Sequence, residues 1–396
     1  GSGEPEAKVA QSAIDLARAA SLSHNGVGAA ADLTAEVGHT PDPFANLTLP
    51  RECHVGYYLV DQGRHALEQR LRFRPGLRLR LRRWLFDHAT PVYLGAVGAL
   101  ATLFLVAALG YATAAGGAIG LILLTALVMI IPAVTLAVEL VNHAVMRMTP
   151  PRTLPKLDFA QGIPVQCRTM VVIPALIANP SDVDNLFAEL EQHYLRNRDP
   201  QHNLTFALLT DFADAPEQDR PEDEALIALA RRHLVALNER HPHRPFYFFH
   251  RRRLWNPSEM TWMGWERKRG KLHEFNRLLR GDHTTSYLVQ LGNLAVLPLI
   301  RYVITLDADT ILPRDAAHRL VGALAHPLNR AEFDPHTGKV AAGYTVLQPR
   351  TAVKPTSANR SLFTRVFGGD VGIDLYTLAV SDLYQDLFGA GIYVGK

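Results

Sequence analysis

The chain has 396 residues and a formal net charge of +3. That charge gives no electrostatic footprint for nucleic acid, so a nucleic-acid partner is not expected. Hydrophobic residues make up an ordinary 48% but are unevenly spread. Cys53 and Cys167 stand too far apart for a metal knuckle or a disulfide framework, which fits a reducing compartment.

Gly1-Ser2-Gly3 reads as the edge of a piece, and no secretory signal is expected ahead of the first apolar stretch, near residue 91. Residues 1–50 are weakly patterned: a helix is expected over 11–20 and little fixed structure over 21–50. Residues 51–90 form a juxtamembrane region. Within it, 51–68 look folded, with His54 and His65 as structural side chains. Arg70, Arg72, Arg74, Arg78, Arg80, Arg82 and Arg83 then crowd the approach to the apolar stretch.

Residues 91–142 read as a transmembrane hairpin. Its arms, 92–114 and 118–141, are each long enough to cross a hydrocarbon core of roughly 30 Å. The first arm has no charge and the second has only Glu139, whereas soluble helices of this length carry a polar face. The Gly116-Gly117 turn between them has no Lys or Arg, while Arg147, Arg152 and Lys156 follow. The positive-inside rule then places the N-terminus and everything after the hairpin in the cytoplasm. The arginine cluster either lies against anionic headgroups or is a solvated basic segment; the sequence leaves both open.

A Pro-punctuated linker over 149–164 leads into residues 165–396, where strands alternate with helices. Strands are expected at 170–174, 204–210, 244–249, 302–306 and 340–347. Helices are expected at 181–197, capped by Ser181, at 221–240 and at 271–280. This is the pattern of an α/β domain with a mostly parallel sheet. Its chemistry-bearing residues fall at strand ends. Asp211 follows one strand, and Asp307 and Asp309 follow another. Between them Arg267-Lys268-Arg269-Gly270-Lys271 opens a helix, where anions are favoured, and Gly270 lets backbone approach a ligand. Trp262 and Trp265 are placed to stack on a ring, and Arg251, Arg252 and Arg253 add positive charge. A lone D-x-D is a weak signal, and basic runs are usually solvated. The order of all three in one α/β domain beside a membrane points to a pocket for a nucleoside diphosphate and a divalent cation.

The same order is similar to that of GT-A glycosyltransferases of the processive, membrane-linked kind. At finer grain the chain resembles the bacterial cyclic β-1,2-glucan synthases, the family 84 glycosyltransferases. The resemblance rests on HVGYYLVDQGR (54–64), LLTDFADAPE (208–217), FHRRRLWN (249–256), GWERKRGKLHEFNRLLRG (264–281), YVITLDADTILPR (302–314), LQPR (347–350) and FGAGIYVGK (388–396). It runs from about residue 51 to the end. It implies an incomplete GT-A-like domain that transfers glucose from UDP-glucose, with inversion, to a growing β-1,2-glucan at the bacterial inner membrane. Asp307 and Asp309 would ligate Mg²⁺ or Mn²⁺. Lys268, Arg269 and Lys271 would steady the diphosphate, and Asp211 would contact the uridine. Gln348 and Arg350 would lie near sugar, and Gly389 and Gly391 would line the acceptor site. The general base is expected beyond Lys396 rather than at Asp370 or Asp374, and the remaining C-terminal domains of a larger enzyme are expected as partners. Such enzymes start synthesis on themselves, and Tyr247 is one conceivable attachment point, though a strand tyrosine is the plainer expectation. Two alternatives stand beside this: a glycosyltransferase with a polyprenyl-phosphate or other lipid acceptor, and a non-catalytic nucleotide-sugar-binding or scaffold fragment.

Overall fold

The computed structural model describes residues 4–25, 50–149, 153–349, 361 and 387. The chain divides into two compact units, one containing the long apolar helices and the other the α/β sheet. The N-terminal helix α1 runs over Glu6–Asn25, longer than expected. Two short helices follow, α2 (Val55–Val60) and α3 (Arg64–Arg70). His54 is structural: its Nδ1 accepts the Gly56 N–H at 3.0 Å, and its ring meets His326 edge-on.

In the first unit, α4 (Leu77–Asp87) leads through His88 into α5 (Ala89–Ala114), and α6 (Ile119–Met148) returns. α5 and α6 are both long and apolar enough to cross a membrane. The turn between them needs Gly116 at φ 76°, a left-handed conformation that glycine adopts without strain. At the open end of this hairpin the Tyr93 hydroxyl donates to Asn142 Oδ1 at 2.8 Å. Most of the outward side chains are bare, including Leu103, Leu121, Leu127 and Ile131. So much contiguous exposed apolar surface marks an interaction surface of the membrane kind.

In the second unit, β1 (Thr169–Ile177), β2 (Leu204–Phe212), β3 (Phe246–Arg251) and β7 (Tyr302–Thr305) run parallel, and β6 (Tyr287–Leu291) lies antiparallel at the β3 edge, in the order β6-β3-β2-β1-β7. β1 and β2 read as near-continuous apolar runs because helices cover both faces. One layer is α7 (Pro180–Arg196), α8 (Asp223–Arg240) and α10 (Ala316–Ala325), packed on Val171, Ile173, Phe206, Leu208 and Phe248. The other is α9 (Arg267–Leu279), with Phe275 and Leu278 on Met170, Val172, Leu209, Tyr247 and Phe249. Pro174 is tolerated in β1 because the β1–β7 ladder ends at Val172↔Thr305. Val172 O accepts the Leu306 N–H, and the residue two further on faces the same side, where no strand remains to receive a donor.

Several boundaries differ from the sequence expectation. α7 is capped by Asn179 in a capping box with Asp182, and Ser181 serves by donating its hydroxyl to Asn179. β3 starts at Phe246, not 244, because His243 and Arg244 are left-handed at φ 69° and 47°. The strand expected over 340–347 is only β9 (Val340–Ala342), paired with β8 (Glu332–Phe333) apart from the main sheet. Gly343, at φ 75°, stops it. The fifth strand of the main sheet is instead β6, which the sequence reading passed over. Also unforeseen is a hairpin of β4 (Leu254–Asn256) and β5 (Thr261–Met263) just after β3.

Candidate functional site

The carboxyl ends of the parallel strands carry two groups of charge, which is where open α/β sheets present ligands. The first group is buried. Asp211 is the penultimate residue of β2, not the residue after it, and sits in register with Arg251 on β3. Side chains at matching register in adjacent parallel strands share a face, so the two meet. Arg251 donates from Nε to Asp211 Oδ1 at 2.7 Å and from Nη2 to Oδ2 at 2.8 Å. From Nη1 it reaches Glu274 at 3.0 Å. Lys271 Nζ lies 3.1 Å from Asp211 Oδ2 and also donates to the Ala175 carbonyl. Glu274 is completed by the Ser286 amide and hydroxyl, and the Tyr287 hydroxyl donates to the Lys271 carbonyl.

Arg251 is 0% exposed, and Asp211 and Lys271 are each 2% exposed. Burial draws the Arg251 pKa down, but hydrogen bonds and charge from Asp211 and Glu274 outweigh it, and the guanidinium stays charged. Burial lowers Lys271 to about 8, against the pull of Asp211. Lys271 therefore still carries a proton at neutral pH. It faces Asp211 and backbone rather than open space, and Asp211 likewise faces its two cations. Neither is placed as a surface contact for a ligand.

The remaining expected cations divide the same way. Arg253 is buried on Asp223, with bonds to the Ala213 and Gln218 carbonyls and its guanidinium 4.6 Å from the centre of the Phe212 ring. Arg251 and Arg253 thus add no positive surface, because each is neutralised inside; Arg252 alone of the three is exposed.

The buried group shapes the loop above it. Arg251 also donates to the Trp265 and Arg267 carbonyls, both at 3.0 Å. Between these carbonyls Glu266 and Arg267 adopt left-handed backbone at φ 50° and 46°, a conformation held only where surrounding contacts determine it. Gly264 packs so closely that a Cβ would lie 2.5 Å from Asp211 Oδ2. At Gly270 a Cβ would lie 2.0 Å from the Trp265 carbonyl. The close approach at Gly270 is therefore to its own loop, which corrects the expectation that it makes room for a ligand.

The second group is open. The loop ends by starting α9 at Arg267, so the basic run is the first turn of the helix, not a loop before it. Asp307 lies two residues past β7, and a turn closed by Thr310 N–H to Asp307 O exposes Asp309 beside it. Lys268 forms an ion pair with Asp307, joining the helix start to the end of β7. Both side chains are solvent-accessible, at 37% and 60%. Arg269 reaches back to Glu266 at 2.8 Å and is largely exposed. Trp265 is exposed at the same helix start, and Trp262 lies in β5 against Trp255.

Of the residues expected on sugar, Gln348 is exposed just past the α/β unit, and Arg350, Gly389 and Gly391 lie outside the described residues, as do Asp370, Asp374 and Lys396. Tyr247 is a buried strand residue, 2% exposed, with its ring against Gly292. Two members of the buried group escaped the sequence reading, Glu274 and Ser286. Glu274 had a signal, since it is three residues from Lys271 and next to Phe275, an acid on the apolar face of α9.

This chain is 41% identical over 356 residues to the cyclic β-(1,2)-glucan synthase NdvB of Rhizobium meliloti (strain 1021). It is a relative of one segment of a cyclic glucan synthase. The match takes in 87% of the chain, hence both charge groups, but only 12% of the synthase's length. No family model matches the chain.

Proposed function

We propose that this chain carries the donor-binding part of an inverting glucosyltransferase that adds glucose from UDP-glucose to a growing β-1,2-glucan at the cytoplasmic face of the inner membrane. The observation that carries the reading is the meeting of Lys268, at the start of α9, with Asp307, at the end of β7. It joins a cationic helix terminus to a pair of carboxylates. Its placement in a chain similar to a glucan synthase segment supports the choice of substrate.

The open group fits a hard divalent cation. Asp307 and Asp309 are exposed carboxylates, the oxygen donors that Mg²⁺ and Mn²⁺ prefer, and the Lys268 ammonium already rests on Asp307. Among the described residues no cluster of three or more His, Cys, Asp or Glu side chains is placed for a metal. Two carboxylates would leave positions for diphosphate oxygens and water, as expected of an ion that binds together with its substrate. When bound, the cation would offset charge on the departing diphosphate.

The chain's own residues have distinct tasks in this reading. Lys268 and Arg269 meet the diphosphate, at a helix start where anions are favoured. Trp265 offers a ring face beside them. Asp211, Arg251, Lys271 and Glu274 hold that turn from below, so that its charges need no rearrangement when UDP leaves. In the transfer, a glucan 2-hydroxyl attacks the anomeric carbon, the bond to the diphosphate oxygen breaks, and UDP departs with the electron pair. The hydroxyl proton passes to a base.

The test is a product assay on membranes containing the protein, given UDP-glucose labelled in the sugar. Label in a 2-linked glucan, lost in Asp309→Ala, supports the proposal. Label that extracts into organic solvent makes the acceptor a lipid and contradicts it.

A further inference from the structure

We infer that α4 is an interfacial helix that binds anionic lipid headgroups in the leaflet α5 enters. The inference rests on the membrane reading of α5 and α6 and is independent of the transferase chemistry. α4 has no buried residue. Leu77, Leu81 and Trp84, spaced four and three residues apart, form one stripe and are 82%, 56% and 51% exposed. At 100° per residue, Arg78 and Arg82 flank one side of that stripe and Arg80 the other.

Position decides the occupant. Only His88 separates α4 from α5, and the hydrogen bonds His88 N–H to Trp84 O and Val92 N–H to His88 O carry the chain from one helix to the next. The stripe is therefore fixed beside the point where the chain enters hydrocarbon. The arginines cannot enter the bilayer core, and the leucines and the tryptophan gain by leaving water. The headgroup layer satisfies both demands. Arg83 is neutralised by Glu68, with bonds of 2.8 and 2.6 Å. Among the described residues no carboxylate pairs with Arg78, Arg80 or Arg82. Their charge is left for an anionic partner, and each arginine near such a surface favours it by about fivefold.

The experiment uses the whole chain in nanodiscs containing equal amounts of phosphatidylcholine and phosphatidylglycerol, with one or the other brominated in its acyl chains. The fluorescence of Trp84 is the difference between wild type and Trp84→Phe, which removes the contribution of the other tryptophans. The expected result is quenching of this component at least about twofold stronger by brominated phosphatidylglycerol. That preference disappears in Arg78→Gln/Arg80→Gln/Arg82→Gln and survives in the triple lysine variant, which keeps the charge. Equal quenching by the two lipids would overturn the inference, as would a Trp84 component that neither lipid quenches.

Discussion

The two charge groups at the carboxyl ends of the strands look alike as residue types and behave oppositely as structure. Asp211, Arg251, Lys271 and Glu274 neutralise one another beneath the start of α9. Lys268, Asp307 and Asp309 stand above it, accessible to solvent. A charge answered inside the fold builds the shape of a site, whereas a charge left exposed can exchange its partner for a ligand. Lys268 and Lys271 make the contrast within one turn of helix, three residues apart.

The largest effect is expected at Arg251. Arg251→Met leaves Asp211 and Glu274 short of a cation in a closed interior and should cost about 3–5 kcal/mol of stability, measured by urea unfolding. A loss no larger than that of a surface substitution would show that the group is not closed.

Acid should come next. Burial holds His193 at about 4 and His250 at about 3, below the ordinary 6.5. As pH falls, the unfolded chain takes up these protons before the folded one, so stability present above pH 6.5 is lost on the way down to about 4. The loss should be on the order of 3 kcal/mol for each of these histidines. His250→Gln should flatten the stability–pH profile over that window, which thermal unfolding at a series of pH values would show. Gly270→Ala follows, since its new methyl group would meet the Trp265 carbonyl; about 1–3 kcal/mol should be lost.

The open group should show the reverse signature. Lys268→Ala breaks an exposed ion pair and should change stability by no more than about 1 kcal/mol, while weakening UDP binding measured by calorimetry. Unchanged binding would remove Lys268 from the site.

The strand-and-helix order was legible in the sequence because β1 and β2 are long apolar runs and α7 and α8 are long and periodic. β6 was not, since it is five residues long and joins the sheet at its edge, antiparallel to β3. The end of β9 was hidden in the backbone of one glycine, Gly343. Asp307, Asp309 and Lys268 were recognisable as candidates from their place after a strand and at a helix start, and the fold brings Lys268 and Asp307 together. What sequence order alone did not convey was depth. Arg251 follows Tyr247 and Phe249 on alternate positions of β3, a period of two that puts all three on one buried face. The cue was present, but in the string Arg251-Arg252-Arg253 it read as surface charge. The same applies to Lys271, which shares the apolar face of α9 with Phe275 and Leu278.

The most direct test is calorimetric titration of UDP into the purified protein, with Mn²⁺ and with chelator, for wild type and Asp309→Ala. The wild type should bind only when Mn²⁺ is present, and Asp309→Ala should lose that binding with the unfolding temperature unchanged. Binding that ignores the metal, or that survives in Asp309→Ala, would contradict the proposed donor site.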